Sequence, residues 1–166
     1  AREIGYLFGQ YKKLTGHFEG IITGKALNWG GSNTRKEATG YGSVYFAENI
    51  LNQNNQTLKG KICTVSGSGN VAIYTIEKLY EMEALPVTCS DSRGTIYHEK
   101  GIDLNSLKAI KEINKQSLEA YATVHPDSLY TPVSHYPKGK HQTWSIPCDI
   151  AFPSATQNEL NLEDAK

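Results

Sequence analysis

Residues 61–66 (Lys-Ile-Cys-Thr-Val-Ser) run straight into Gly67-Ser68-Gly69-Asn70-Val71-Ala72, and no other stretch limits the fold of this chain so tightly. A short β-branched run, a G-x-G-x-x-A turn and a helix-forming segment over residues 71–82 make a strand–turn–helix unit. Each small residue has its own duty. Gly67 permits the tight turn, Gly69 lets the backbone approach a pyrophosphate, and Ala72 keeps the helix close to the sheet. The helix N-terminus adds free N–H groups and a positive dipole end. The segment therefore predicts an α/β, Rossmann-like dinucleotide-binding domain, with Gly67, Ser68, Gly69, Asn70 and Val71 as the cofactor loop. A glycine-rich turn that binds nothing is the other reading of the same residues.

An acidic residue at the end of the following strand would complete the pattern. Residues 86–90 (Pro-Val-Thr-Cys-Ser) lead into Asp91, which lies 24 residues past Gly67. A carboxylate there would accept from the 2′-OH of an NAD ribose and repel the 2′-phosphate of NADP. Ser92 and Arg93 argue the other way, because a guanidinium forks onto phosphate. These residues leave NAD and NADP both open.

The chain of 166 residues is one domain long and can bury a core. Its 17 basic residues balance 17 acidic ones, so no global field favours nucleic acid or an anionic membrane. No apolar run reaches the roughly 18 residues of a membrane span. Cys63, Cys89 and Cys148 each lie in or beside an apolar run, which reads as buried, reduced thiols of a cytoplasmic protein. The histidines are scattered, so no metal is expected.

Apolar periodicity predicts a helix already under way at Ala1, with Ile4, Leu7, Phe8, Tyr11 and Leu14 on one stripe and Gly16 as its stop. Residues 20–24 read as a strand, 25–36 as a hinge, and 37–51 as a helix. Beyond Asp91 come a loop to Gly101, a helix over 104–121 capped by Asp103, and an irregular stretch over 124–142 with one short strand. Residues 145–155 read as a buried strand with a loop at its end. Asp149 beside it is expected to be a structural carboxylate that accepts backbone N–H bonds. Residues 161–166 look like a helix just starting behind Asn161. Strands alternating with helices imply a mostly parallel sheet covered on both faces. Both ends, at Ala1 and at Lys166, look cut, so the chain reads as a fragment.

Several segments together resemble the hexameric glutamate dehydrogenase family. They are Arg2-Glu3-Ile4-Gly5-Tyr6, Gly9-Gln10-Tyr11, Thr23-Gly24-Lys25, Gly30-Gly31-Ser32, Glu37-Ala38-Thr39-Gly40-Tyr41-Gly42, the glycine loop, Ser90-Asp91-Ser92-Arg93-Gly94 and Ala155-Thr156-Gln157-Asn158-Glu159. They span nearly the whole chain in collinear order. The resemblance implies reversible oxidative deamination of L-glutamate to 2-oxoglutarate and ammonia, and a homohexamer. It divides the chain into residues 1–34, the end of a substrate and oligomerisation domain with its hinge, and residues 35–166, the dinucleotide-binding domain. By the same resemblance Thr39 holds the nicotinamide amide, Asn70 contacts the pyrophosphate, Thr156, Gln157 and Asn158 lie near the nicotinamide ribose, and Thr23 belongs to the substrate pocket. The Ser90-Asp91-Ser92-Arg93 stretch resembles the NADP-linked members, which favours NADP over NAD.

The family's catalytic lysine and aspartate correspond to positions upstream of Ala1, so no catalytic residue is assigned and the fragment alone is expected to be inactive. Asn33-Thr34-Arg35-Lys36 lacks the proline usual before Glu37, a change expected to loosen the hinge. A leucine, phenylalanine or valine dehydrogenase, or a non-catalytic dinucleotide-sensing module, would share most of these features.

Overall fold

The computed structural model describes residues 2–33 and 36–165. They fall into two compact units that divide at Lys36. Three expectations from the sequence lie outside the described residues. One is the helix already under way at Ala1, the residue upstream of which the resemblance puts the catalytic lysine and aspartate; the described helix begins at Arg2. The others are the loosened hinge at Thr34 and Arg35 and the continuation through Lys166.

In the first unit, helix α1 (Arg2–Thr15) buries Phe8, whose ring meets Phe18 edge-on at 5.3 Å. Leu7 and Leu14 of the same stripe are exposed. Gly16 ends the helix in the left-handed region (φ 71°), its N–H donating to the Lys12 carbonyl. The strand expected over residues 20–24 does not form. Ile22 (φ 62°) and Gly24 (φ 84°) turn the chain instead, and the Lys25 ammonium donates to the carbonyls of Ile21 and Ile22. A β-branched residue at positive φ is strained. A lysine that satisfies two turn carbonyls stabilises that geometry.

The second unit begins with α2 (Ala38–Gln53), followed by β1 (Ile62–Val65) and α3 (Asn70–Glu81). The β-branched run and the helix lie where the sequence predicts them. Gly40 explains how α2 meets α3: a Cβ there would lie 2.6 Å from the Thr75 nitrogen and 2.7 Å from the Val71 carbonyl oxygen. The two backbones touch at a point where only glycine fits. Val44, Val65, Ala72, Ile73, Ile76 and Leu79 close the core around this contact.

The strand expected over residues 86–90 is divided between two sheets. Its first part, β2 (Leu85–Pro86), pairs in parallel with β1, and β1 pairs in parallel with β6 (Ile150–Phe152) on its other side. Its second part, β3 (Thr88–Ser90), pairs antiparallel with β4 (Gly94–Tyr97), which pairs antiparallel with β5 (Leu129–Pro132). The parallel sheet β2-β1-β6 is the Rossmann-like part, and the antiparallel sheet β3-β4-β5 is an addition. β4 also replaces the loop expected after Asp91. The run Gly94-Thr95-Ile96-Tyr97 is β-branched and aromatic enough to pair once the Asp91 turn reverses the chain.

The helix expected over residues 104–121 is interrupted. Asp103 caps α4 (Leu104–Lys108), its carboxylate accepting from Ser106 N–H at 2.7 Å. A π-helical turn, Ala109–Ile113, follows, and the chain then breaks at Lys115 (φ 54°) before α5 (Glu119–Val124). The break frees the Leu118 N–H to bond Asp91 at 3.0 Å. Residues 161–165 form one turn rather than a helix start, with the Asn161 side chain accepting from the N–H groups of Glu163 and Asp164. Cys63 and Cys89 are buried, and burial pushes the Cys63 thiol up to about 12. Cys148 is exposed, contrary to expectation, because it sits in the loop ahead of β6. Asp149 accepts from the Ile62 N–H at 2.7 Å, as expected of a structural carboxylate.

Candidate cofactor site

The glycine loop lies at the carboxyl ends of the parallel strands, where open α/β sheets take their ligands. Gly67 is left-handed (φ 82°), and a Cβ there would lie 2.9 Å from the Ser154 carbonyl oxygen, so the turn requires glycine. Gly69 is different. Its backbone (φ −89°, ψ −169°) suits any residue, and a Cβ there would meet nothing within 4 Å. Neither conformation nor packing demands a glycine at 69, and the space above it is open to a ligand. Asn70 opens α3 but does not cap it; the cap position is Gly69.

Buried hydroxyls fix the loop. The Gly67 N–H donates to the Ser90 hydroxyl at 2.8 Å, and the Ser154 N–H donates to the Ser66 hydroxyl at 2.8 Å. Two clefts flank the loop. One, of about 520 Å³, runs from Ser90, Asp91 and Ser92 across residues 67–71 to Ser154, Ala155 and Thr156, with His141 and Glu159 on its wall. The other, of about 490 Å³, is lined by residues 68–70, Ile73 and Tyr74 together with Lys36, Lys111, Glu112 and Lys115. A smaller recess beside them is lined by Asp91, Ser92, Arg93, Lys111, Lys115 and Ser117.

Asp91 is already engaged. One carboxylate oxygen accepts from the N–H groups of Arg93 (2.9 Å) and Gly94 (3.3 Å). The other accepts from the Lys111 ammonium (3.1 Å) and the Leu118 N–H (3.0 Å). Burial acts to raise its pKa, but the N–H bonds and the Lys111 charge outweigh burial and hold it below the usual carboxylate range. The acid thus holds the turn together, and Lys111 neutralises it. Arg93 and Ser92 stand exposed at the tip of that turn.

The structure brings most of the sequence candidates together. Gly67, Ser68, Gly69, Asn70, Val71, Asp91, Ser92 and Thr156 line one cleft, and Arg93 lines the adjoining recess. Thr39 is exposed in the first turn of α2, one residue from the Gly40 contact with α3. Asn158 is exposed and left-handed (φ 56°). Its turn brings Glu159 back to accept from the Ala155 N–H at 3.0 Å. Thr23 lies in the first unit, in the turn between Ile22 and Gly24. Sequence reading missed Lys36, Lys111, Lys115, His141 and Glu159. Lys111 and Lys115, four apart, carried a detectable signal; His141 carried none. Among the described residues no cluster of metal-binding side chains occurs, and no helix is long and apolar enough to cross a membrane.

The family model described as Glutamate/Leucine/Phenylalanine/Valine dehydrogenase matches residues 30–166. The chain belongs to this dehydrogenase family. Among its relatives, the NADP-specific glutamate dehydrogenase of Helicobacter pylori is 61% identical over 165 residues, covering 99% of the chain and 37% of that protein. The NAD(P)-specific glutamate dehydrogenase of Xylanibacter ruminicola is 48% identical, with 99% of the chain and 36% of that protein covered. The crystal structure of Plasmodium falciparum glutamate dehydrogenase superposes with a TM-score of 0.85 at 42% identity, over 99% of the chain and 34% of that structure. The dehydrogenase chain therefore spans little more than a third of the length of these relatives.

Proposed function

We propose that the chain supplies the cofactor-binding part of an NADP-linked glutamate dehydrogenase, which interconverts L-glutamate with 2-oxoglutarate and ammonia. The observation that carries this reading is the open space above Gly69, at the carboxyl ends of parallel strands and beside a basic recess. A dinucleotide fits that arrangement: the pyrophosphate over the N–H groups of residues 68–71, the adenosine ribose toward the Asp91 turn. Because the Asp91 carboxylate is occupied and paired with Lys111, its charge opposes a 2′-phosphate far less than a free acid would. Ser92, Arg93 and Lys115 are then the groups that hold the phosphate, which selects NADP over NAD. Thr156 and Asn158 serve the nicotinamide ribose, Thr39 the nicotinamide amide, and Thr23 the substrate. The nicotinamide ring supplies the hydride chemistry; these residues bind and orient.

The same reading carries a homohexamer in the cytoplasm. Exposed apolar side chains such as Tyr6, Leu14, Phe18 and Phe46 support association with further protein surface. Titration calorimetry of the full-length protein tests the cofactor assignment. NADPH is expected to bind more tightly than NADH, and Gly69→Val to abolish binding of both while the protein stays folded, the poorer N-cap of α3 costing no more than about 1 kcal/mol. A Gly69→Val protein that binds NADPH like its parent overturns the reading. Glutamate-dependent reduction of NADP by the full-length protein tests the substrate.

A further inference from the structure

His141 stands on the wall of the cofactor cleft with its orientation fixed at three points. Its backbone N–H donates to the Asp164 carboxylate at 3.1 Å. Its ring Nδ1 accepts from the Thr143 N–H at 3.3 Å, capping the 3₁₀ turn Gln142–Ser145. Its ring centre lies 4.9 Å from that of Tyr136, edge-on, and 6.2 Å from that of Trp144. An imidazole whose Nδ1 accepts carries its proton on Nε2. No described residue takes that Nε2–H, burial holds the ring below its ordinary pKa, and His141 lines the cleft with this donor unspent.

The neighbours of His141 show which half of a dinucleotide it would face. The 3₁₀ turn packs on β1, β3 and β4. Its Thr143 is fully buried, with its hydroxyl 3.4 Å from that of Thr95 in β4. The Tyr136 hydroxyl also bonds Thr95, at 2.6 Å. His141 therefore stands over the β3–β4 end and shares its cleft with Ser90, Asp91 and Ser92. The end of the second strand is the adenosine end of a Rossmann-type site.

We propose that His141 is a cofactor-binding residue of this cleft, its ring walling the adenosine half and its Nε2–H donating to an acceptor on the adenosine monophosphate moiety. The inference rests on the dinucleotide reading above. It requires that the contact be lost when the donor is removed and the ring kept.

The test is titration of the full-length protein and its His141 variants with NADPH, 5′-AMP and nicotinamide mononucleotide. His141→Phe keeps a ring but no donor, and is expected to weaken NADPH and 5′-AMP about 10-fold each while leaving nicotinamide mononucleotide unchanged. His141→Gln restores an N–H donor and is expected to recover part of that loss, whereas His141→Ala does not. Undiminished 5′-AMP binding by His141→Phe overturns the proposal, and so does an equal loss for nicotinamide mononucleotide. If His141→Phe unfolds, the comparison of Gln with Ala decides, and equal 5′-AMP affinities count against the donor. A parent protein that binds no NADPH removes the dinucleotide reading itself; a parent that binds while the variants match it removes only the role of His141.

Discussion

Two glycines in one helix should respond to the same substitution with opposite signs. A Cβ at Gly40 would lie 2.6 Å from the Thr75 nitrogen, 2.7 Å from the Val71 oxygen and 2.9 Å from the Tyr74 carbonyl carbon, all of them backbone atoms of α3. Ordinary contact begins at 3.4 Å, so α2 and α3 must part by about 0.8 Å to admit a methyl group. Overpacking of this kind costs about 1–3 kcal/mol, and helix backbone yields less than a side chain, which places Gly40→Ala toward the upper end. Alanine's better helix propensity returns about 1 kcal/mol, leaving a net loss of about 1–2 kcal/mol. At Gly42 the new methyl meets nothing within 4 Å, so only the propensity gain of about 1 kcal/mol operates. Thermal and urea unfolding should therefore show Gly40→Ala about 2–8 °C below the parent and Gly42→Ala about 2–4 °C above it. Gly40→Ala should also weaken NADPH, because it moves Thr39 relative to residues 67–71. Equal melting temperatures for the two variants would refute the close approach of α2 and α3.

Further outcomes follow from the Asp91 turn and its surroundings. Arg93→Ala is expected to weaken NADPH by about 10- to 150-fold and NADH little, the loss of one charge-assisted contact; equal effects in calorimetry would make Arg93 only a turn residue. The Asp91 carboxyl is held below its ordinary value, so it contributes stability above about pH 4 that is lost as pH falls through its folded value. Urea denaturation between about pH 5 and pH 2 should show a shallower decline in Asp91→Asn than in the parent, and parallel curves would contradict the pairing with Lys111. Asp103→Ala removes the cap on α4 and should cost about 1 kcal/mol by urea denaturation, with NADPH affinity unchanged.

The parts legible in the sequence are those that local chemistry dictates. β1, the Gly67 turn and α3 follow from a β-branched run, a residue free to adopt positive φ, and a 3.6-residue period. The cap at Asp103 and the structural role of Asp149 were legible for the same reason. What escaped depends on distant partners. The strand at residues 86–90 reads as one element, yet its two halves pair with different sheets. Its division at Val87 requires β4, whose pairing depends on the reversal at Asp91. The helix over 104–121 keeps its apolar period through the break at Lys115, because Ile110 and Leu118 are both buried on either side of it. The break coincides with the bonds that Lys111 and Leu118 make to Asp91, and no local pattern encodes those. His141 escaped because only the fold of residues 133–145 carries it to the cleft.

That division of the second strand is what gives the cleft its shape. Beyond Val87, whose N–H still bonds the Cys63 carbonyl, the strand leaves β1 to join β4. The ladder groups it abandons are met by hydroxyls: the Thr88 Oγ1 accepts from the Val65 N–H at 2.8 Å and donates to the Val65 carbonyl at 3.0 Å. A buried N–H and C=O left bare would cost about 1–3 kcal/mol each, so the side chain of Thr88 makes the departure affordable. Two residues on, the Ser90 Oγ takes the Gly67 N–H while the Ser90 N–H donates to the Gly67 carbonyl, tying the diverging strand to the glycine turn. The strand end is thereby carried away from β1 but kept in register with the loop, and the space between them opens beneath Ser92 and His141. Thr88→Val, which keeps the shape and removes both bonds, should destabilise the unit by about 2–6 kcal/mol in urea denaturation, since it strands two buried backbone groups at once. Thr88→Ser keeps the hydroxyl and should recover most of that stability. A Val variant as stable as the Ser variant would show that β1 and the diverging strand are held together by packing alone, and that the hydroxyl ladder has no part in shaping the cleft.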